Sequence, residues 1–462
     1  MARREILTKQ ALLAALSGSI PTSAVVLCQR LGISQPTLNR RLAQAKDDVV
    51  RIGKAQRTLY ARRQNISRVG SQWPLYRIDS LGRPELLGTL YSLDAGQWWI
   101  DFKQAAPVLA ADDFSDGLYP DLPWFLMDSR PQGFLGRQFA KKYALELNAP
   151  DDIERWQADD ILLGYLRYGD QLPGNIIVGE QALQQALASQ QQATSAMLEE
   201  QRASRYGPLA DAALQGSAAN SSAGGEQPKF TEVVVDGVGN YRHVIVKFSE
   251  RISGPQAQRW SDLLLCEHHA ATVLGNNKIP ACRTEIIISD GRTCLESTRH
   301  DRIGIAGRRG QVSLGAFNDA YYGSRDRWDL AAQRLCKDSW FDREQSERLR
   351  LLYNFGLLIG NADMHFGNIS LTGLTVRPVQ LTPSYDMLPM HYRPAANGEI
   401  VERELEIKMP LPENLDAFKI AAPMAIEFWH AVSKDNRISA EFRNEVKRNI
   451  DKINSTLSRV LS

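Results

Sequence analysis

An aspartate, an asparagine five residues later and a second aspartate 18 residues beyond that carry the strongest chemical signal in this sequence. They are Asp363 and Asn368 in Asn361-Ala362-Asp363-Met364-His365-Phe366-Gly367-Asn368, and Asp386 in Leu381-Thr382-Pro383-Ser384-Tyr385-Asp386. Phosphoryl transfer needs little covalent help from a protein. It needs a carboxylate beside the attacking hydroxyl and oxygen ligands that hold Mg²⁺ against the phosphates. An amide and a carboxylate suit Mg²⁺, which takes a few protein oxygens and completes its shell with phosphate and water. Asp and Asn are also ordinary loop and cap formers, so the motif draws its weight from what surrounds it.

Upstream, the apolar run Leu351-Leu352-Tyr353-Asn354-Phe355-Gly356-Leu357-Leu358-Ile359-Gly360 has the length of a buried helix and ends in a glycine suited to a helix stop. Downstream, Ile369-Ser370-Leu371-Thr372 and Val379-Gln380-Leu381 read as two short strands around a turn. The polar cluster therefore sits in a loop between a buried helix and a small hairpin, where rigid scaffolds present catalytic groups.

A second region supplies phosphate-binding chemistry. In Ser217 to Phe230 the small residues Ser222, Ala223, Gly224 and Gly225 let backbone N–H groups come close to phosphate oxygens. The spacing G-x-x-x-x-G-K-[ST] is missing, so this is not a P-loop. The apolar strand Val244-Ile245-Val246-Lys247-Phe248 follows, with Lys247 placed to meet phosphates. Gly-rich loop, strand lysine, catalytic loop and metal carboxylate stand in the order of a protein kinase.

The 462 residues exceed one ordinary core, and 43% hydrophobic with 23% charged residues fits a globular chain of several domains. No apolar stretch approaches the ~20 residues needed to span a bilayer, and the start leads into an amphipathic segment rather than a signal peptide. Cys28, Cys266, Cys282, Cys294 and Cys336 are scattered, with no C-x-x-C pair. These features point to reduced thiols, no zinc site, no membrane partner and a cytoplasmic location.

The overall charge of +2 conceals an asymmetry: residues 1–64 hold 12 Lys/Arg against three acids, a balance of +9 that leaves −7 for the remainder. A helix near residues 4–18, a second from Pro21 or Thr22 to Leu31 stopped by Gly32, and a third capped by Ser34 have helix-turn-helix spacing. Residues 51–62 alternate like a basic-tipped hairpin, the wing of a winged variant. Gln35, Thr37, Asn39 and Arg40 are the candidates to read base edges, and Arg41, Lys54 and Arg57 to hold phosphates. Such a module commonly binds paired half-sites as a homodimer.

Between these regions, Leu75–Ile78, Glu85–Leu90 and Gln97–Phe102 read as strands of a half-buried sheet, and residues 120–170 as helices with short turns. The Gln/Ala-rich stretch from Gln181 to Gln201 is a surface helix or a linker.

Ser221-Ser222-Ala223-Gly224-Gly225-Glu226-Gln227-Pro228-Lys229, Val246-Lys247, Arg299-His300-Asp301-Arg302, the Gly360 to Asn368 loop and Thr382-Pro383-Ser384-Tyr385-Asp386 together resemble the HipA family of toxin serine/threonine kinases. The likeness spans roughly residues 70 to 450, and the basic module in front resembles its single-chain, HipH-like members. It implies an ATP- and Mg²⁺-dependent kinase acting on a protein substrate, with Asp363 as base, Asn368 and Asp386 on the metal, and Lys247 on the phosphates. Ala223, Gly224, Gly225, Lys229, Arg299, His300, His365 and Tyr385 complete the implied ATP site. The family loop pattern S-x-x-G-x-Q-x-K falls on Ser222, Gly225, Gln227 and Lys229, which makes Ser222 the implied self-phosphorylated serine and Ser221 the runner-up. A phosphate there would add nearly two negative charges. Thr298 and His300 depart from the Glu and Phe usual on the nucleotide-side strand, which bears on nucleotide affinity and base preference.

The expected architecture is α+β: a HipA-like, protein-kinase-like two-lobed body behind an N-terminal winged helix-turn-helix. Its expected parts are 1–64 (DNA-binding), 65–180 (β-rich), 181–216 (connecting), 217–310 (nucleotide lobe) and 311–462 (helical catalytic lobe). Two other readings stay open: a transcriptional regulator that uses the fold to sense nucleotide, and a Mg²⁺-dependent nuclease built on Asp363, His365, Asn368 and Asp386.

Overall fold

The computed structural model describes residues 2–18, 20–53, 57–66, 69–191, 196–216 and 225–462. Lys54, Ser221, Ser222, Ala223 and Gly224 lie outside the described residues.

The N-terminal part comprises α1 (Ala2–Leu16), β1 (Thr22–Ser23), α2 (Ala24–Leu31), α3 (Gln35–Gln44) and the antiparallel pair β2 (Val49–Ile52) and β3 (Leu59–Arg62). Pro21 and Thr22 do not open α2. Thr22 pairs with Tyr60 in the sheet, and Ser23 becomes the N-cap, its hydroxyl accepting from the Val26 N–H at 3.4 Å. Gly32 closes α2 at φ +62°, a left-handed stop that a glycine adopts without strain. Leu12, Leu16, Leu27, Leu38 and Val49 form a small core, each fully buried leucine contributing roughly 1.5–3 kcal/mol. The other face of the hairpin, at Val50, Ile52 and Ala61, packs on Leu93 and Trp99 of the next unit.

That unit is an antiparallel sheet of order β7-β6-β5-β4-β8, built from β4 (Gln72–Ile78), β5 (Pro84–Ser92), β6 (Trp98–Phe102), β7 (Leu118–Tyr119) and β8 (Ile176–Val178). Helices α4 (Trp124–Asp128), α5 (Gly133–Leu147) and α6 (Ala158–Tyr168) lie between β7 and β8, and α7 (Glu180–Gln191) follows.

The next unit, the first lobe of the body, is a five-stranded sheet of order β12-β13-β11-β10-β9. Its strands are β9 (Met197–Leu198), β10 (Lys229–Val235), β11 (Tyr241–Phe248), β12 (Thr284–Ser289) and β13 (Arg292–Thr298), flanked by α8 (Arg202–Leu214) and α9 (Pro255–Asn276). Residues 181–216, expected as a connecting segment, divide between two bodies. Leu183 and Ala186 of α7 pack on Ile78 and Ile177, whereas Met197, Tyr206, Ala210 and Ala213 enter the core of the first lobe with Phe230, Val234 and Val246.

The second, mainly helical lobe opens with the ribbon β14 (Arg302–Ile303) and β15 (Gly307–Arg308). A small sheet follows, of β16 (Val312–Ser313), β17 (Ser370–Thr372) and β18 (Gln380–Leu381), with helices α10 (Leu314–Tyr321), α11 (Trp328–Lys337), α12 (Arg343–Leu358), α13 (Leu415–Lys434) and α14 (Ala440–Leu461). One continuous core joins Leu75, Ile100 and Phe139 of the middle unit to Phe317, Trp328, Phe355, Phe428 and Trp429 of this lobe. The platform behind the polar loop is therefore shared by two units, which keeps the loop in register.

Candidate active site

Leu349, Leu351, Leu352, Phe355 and Leu358 bury the second half of α12, and the helix stops where Gly360 reaches φ +75° and the Asn361 N–H returns to the Gly356 carbonyl at 2.8 Å. The chain then crosses into the polar loop. Buried Asn361 accepts from the Asp363 N–H at 3.0 Å through Oδ1 and donates to the Asp386 carbonyl at 3.4 Å through Nδ2. One side chain thereby ties the loop to the segment that carries the second aspartate. Asn368 Nδ2 donates to the Asp363 carbonyl at 2.8 Å, so the amide oxygen is the atom suited to a cation. Asp386 sits at φ +53°, a left-handed conformation costing ~1–3 kcal/mol that clusters at functional sites.

β10 and β11 pair so that Lys229 stands opposite Lys247. Lys247 Nζ donates to both carboxylate oxygens of Glu267 on α9, at 2.6 and 2.7 Å, and also contacts Asp386 Oδ1. Burial opposes the Lys247 charge, but the Asp386 and Glu267 carboxylates outweigh it and push its pKa up. Burial likewise raises the Glu267 pKa, with Lys247 opposing. At Asp386 burial acts upward, yet Lys247 and Lys229 bring the carboxyl below its ordinary value. Lys229, almost fully buried, is pulled down to about 8 by burial, and the neighbouring Lys247 charge adds to the effect.

Two connected cavities run along these groups. The inner one, of about 240 Å³, is bordered by Lys229, Lys247, Arg299, His300, Asn368, Tyr385 and Asp386. The wider one, of about 840 Å³, adds Asp363 and reaches Trp260 and Arg393. Gly225 and His365 border both. His300 stacks on Tyr385 with ring centroids 5.6 Å apart, and the Tyr385 hydroxyl is fixed by Ser370 Oγ at 2.7 Å and the Gly367 carbonyl at 3.2 Å. Burial lowers the His300 pKa, which favours a neutral ring on that wall.

Residues 221–459 match the HipA-like C-terminal domain, and residues 69–187 match the middle domain of YjjJ-like toxins. Over 437 residues the chain is 37% identical to Toxin YjjJ of Escherichia coli (strain K12), covering 94% of this chain and 95% of that protein. The chain belongs to the HipA family of toxins. A chain from the Shewanella oneidensis MR-1 toxin–antitoxin complex of HipA, HipB and operator DNA matches with a TM-score of 0.52 at 15% identity. The match covers 84% of this chain and 97% of that one, and it concerns the fold alone, an α+β, HipA-like body.

In this HipA-like body the described sequence candidates Gly225, Lys229, Lys247, Asp363, His365, Asn368, Tyr385 and Asp386 come together around the two cavities. Arg299 borders the inner cavity, but its guanidinium is committed to Asp301 at 2.8 and 2.9 Å. It therefore acts on the wall and not as a ready phosphate ligand. His365 Nδ1 accepts from the Gly367 N–H at 3.0 Å and caps the turn that carries Asn368. Glu267 and Asn361 were not among the sequence candidates. Glu267 had a readable signal, an acid directly after the apolar stretch Leu263-Leu264-Leu265-Cys266, on the helix that follows the strand lysine.

The DNA candidates lie apart from this site. Gln35, Asn39 and Arg40 are exposed on α3, with Gln35 donating to Asn39 at 3.2 Å. Thr37 and Arg41 are half-buried, and Arg57 is exposed just ahead of the second hairpin strand.

Proposed function

We propose that this HipA-family chain is an ATP- and Mg²⁺-dependent serine/threonine protein kinase that phosphorylates itself at Ser222, with Ser221 as runner-up. The observation that carries the reading is Lys247, held by Glu267 and Asp386 in a cleft that also presents Asp363 and Asn368. A nuclease has no use for a buried lysine–glutamate pair, whereas a kinase needs one to fix the lysine that meets the phosphates.

In this reading Asp363 accepts the proton of the attacking hydroxyl, and the Asn361 and Asn368 bonds hold its backbone so that the carboxylate keeps one position. Asn368 Oδ1 and the Asp386 carboxylate are hard oxygen donors of the kind Mg²⁺ selects. The metal, when bound, would neutralise charge on the phosphates. Lys247 leaves its contact with Asp386 for a phosphate oxygen while Glu267 retains it. The His300–Tyr385 wall shields the inner end of the cleft from water.

The N-terminal unit binds DNA in this proposal, through Gln35, Thr37, Asn39 and Arg40 to bases and Arg41, Lys54 and Arg57 to phosphates, and it regulates the kinase, with two copies on paired half-sites. The work takes place in the cytoplasm, and no described helix is long and apolar enough to cross a membrane. The test is transfer of label from the γ-phosphate of ATP to proteins of a cell extract. Transfer that requires Mg²⁺ supports the reading. ATP binding without transfer would favour a nucleotide sensor, and Mg²⁺-dependent plasmid cutting lost in Asp386→Ala would favour a nuclease.

A further inference from the structure

The arm from Gly225 to Lys229 is held from outside the nucleotide lobe. Helix α5 of the middle unit meets it head-on. Gly133 sits at φ +62° against Gly225 at φ +93°, and a Cβ on Gly133 would lie 2.5, 2.7 and 2.9 Å from the Gly225 O, N and C atoms. Those are backbone atoms, so the contact admits no side chain without separating the two segments. The Phe134 N–H, one of the helix-start donors that lack an intrahelical acceptor, donates to the Gly225 carbonyl at 3.0 Å. One turn later, Arg137 grips Glu226 with both terminal nitrogens, at 3.1 and 2.5 Å, a two-point geometry that fixes direction as well as distance.

The contact reaches the chemistry through short links. A Cβ on Gly225 would stand 2.7 Å from Lys229 Nζ, and Lys229 is the register partner of Lys247. Gly133 and Gln132 border the wide cavity together with Gly225, Lys229 and Asp386. The same helix also touches the chain ahead of the loop, for a Cβ on Gly216 would lie 2.7 Å from Gln138 Oε1.

We infer that α5 of the middle unit positions the phosphate-side arm, with Gly133 and Arg137 as positioning residues that set nucleotide affinity. The inference rests on the kinase reading of the cleft. It makes the middle unit part of the nucleotide site, although none of its α5 side chains is needed as a reacting group.

The test uses the full chain and the non-hydrolysable probe AMPPNP with Mg²⁺, followed by calorimetry, with the KM for ATP and kcat measured in parallel. Gly133→Val should weaken AMPPNP binding about tenfold or more, since displacing a positioned group by ~1 Å costs up to about 100-fold. Arg137→Glu, at a partly exposed position where charge reversal leaves the core intact, should raise the KM for ATP more than it lowers kcat. The double change Arg137→Glu with Glu226→Arg should restore affinity. If the wild type binds AMPPNP and both single variants bind within about twofold of it, or if the swap fails to restore what Arg137→Glu lost, the positioning role is wrong. If the wild type binds no AMPPNP, the kinase reading itself fails and this inference with it.

Discussion

Replacing Glu267 by glutamine removes one negative charge from the lysine site with little change in volume. Glu267 is 5% exposed and Lys247 6% exposed, so water cannot take over the lost role. Two bonds from the ammonium to a carboxylate, at 2.6 and 2.7 Å, give way to one bond from the ammonium to an amide oxygen, still worth roughly 1.5–3 kcal/mol because its donor is charged, while the amide NH₂ turns a second donor toward the lysine. Breaking a buried pair that leaves a lone charge costs roughly 3–5 kcal/mol. Here Asp386 still faces the ammonium, which brings the expected loss down to about 2–3 kcal/mol. At ~1.4 kcal/mol per tenfold in rate, that is about 30–150-fold in kcat/KM. Lys247 would then lean on Asp386, the carboxylate assigned to the cation, so ATP affinity and turnover should both fall. Initial rates of label transfer across a range of ATP concentrations read the effect, with a thermal melt to show that the variant folds. Rates and ATP dependence within about twofold of wild type would refute the placing of this pair in the site.

Lys229, with a pKa near 8, is charged below that value and neutral above it, so the KM for ATP should rise as pH passes upward through about 8, and Lys229→Met should flatten that rise; identical KM–pH profiles would count against it. Glu296, fully buried, accepts from Arg202 at 3.0 Å, Arg242 at 2.6 Å and the Tyr206 hydroxyl at 2.5 Å. Glu296→Ala leaves two guanidinium groups short of a partner and should cost roughly 3–5 kcal/mol in denaturant unfolding of the nucleotide lobe; an unchanged midpoint would show that Glu199 and Glu285 suffice. For the N-terminal unit, Arg41→Ala and Arg57→Ala should each lower the slope of log affinity for duplex DNA against log salt by about 0.9, whereas an unchanged slope would remove them from the phosphate contacts.

Legibility from sequence followed the range of the interaction. The polar loop, the buried helix before it and the hairpin after it depend on neighbours in sequence, and the second half of α12, β17 and β18 fall where apolar runs and a stopping glycine place them. Lys247 was readable because it ends an apolar strand. Glu267 and Asn361 depend on partners 20 and 25 residues away, and although an apolar stretch beside Glu267 hints at burial, nothing local names the partner. The segment 181–216 misled because Gln and Ala dominate its composition, while the few residues that matter, Met197, Tyr206 and Ala210, sit at spacings whose partner sheet comes later in the chain. Thr22 was drawn from the helix into a sheet by Tyr60, 38 positions on. The meeting of Gly133 with Gly225 joins two units that no local pattern connects.

In the proposed function, Asp363 directs transfer of the ATP γ-phosphoryl group to a serine hydroxyl. Phosphopeptide mass spectrometry of the purified chain after incubation with ATP and Mg²⁺, set beside Asp363→Asn, tests it most directly. Phosphoserine is expected at position 222, or at 221, in the wild type, with a fall of about 10²–10⁴-fold in its rate of appearance in the variant, as follows from loss of a general base. Wild type that stays unmodified and transfers nothing to a cell extract, or Asp363→Asn that labels as fast as wild type, would contradict it.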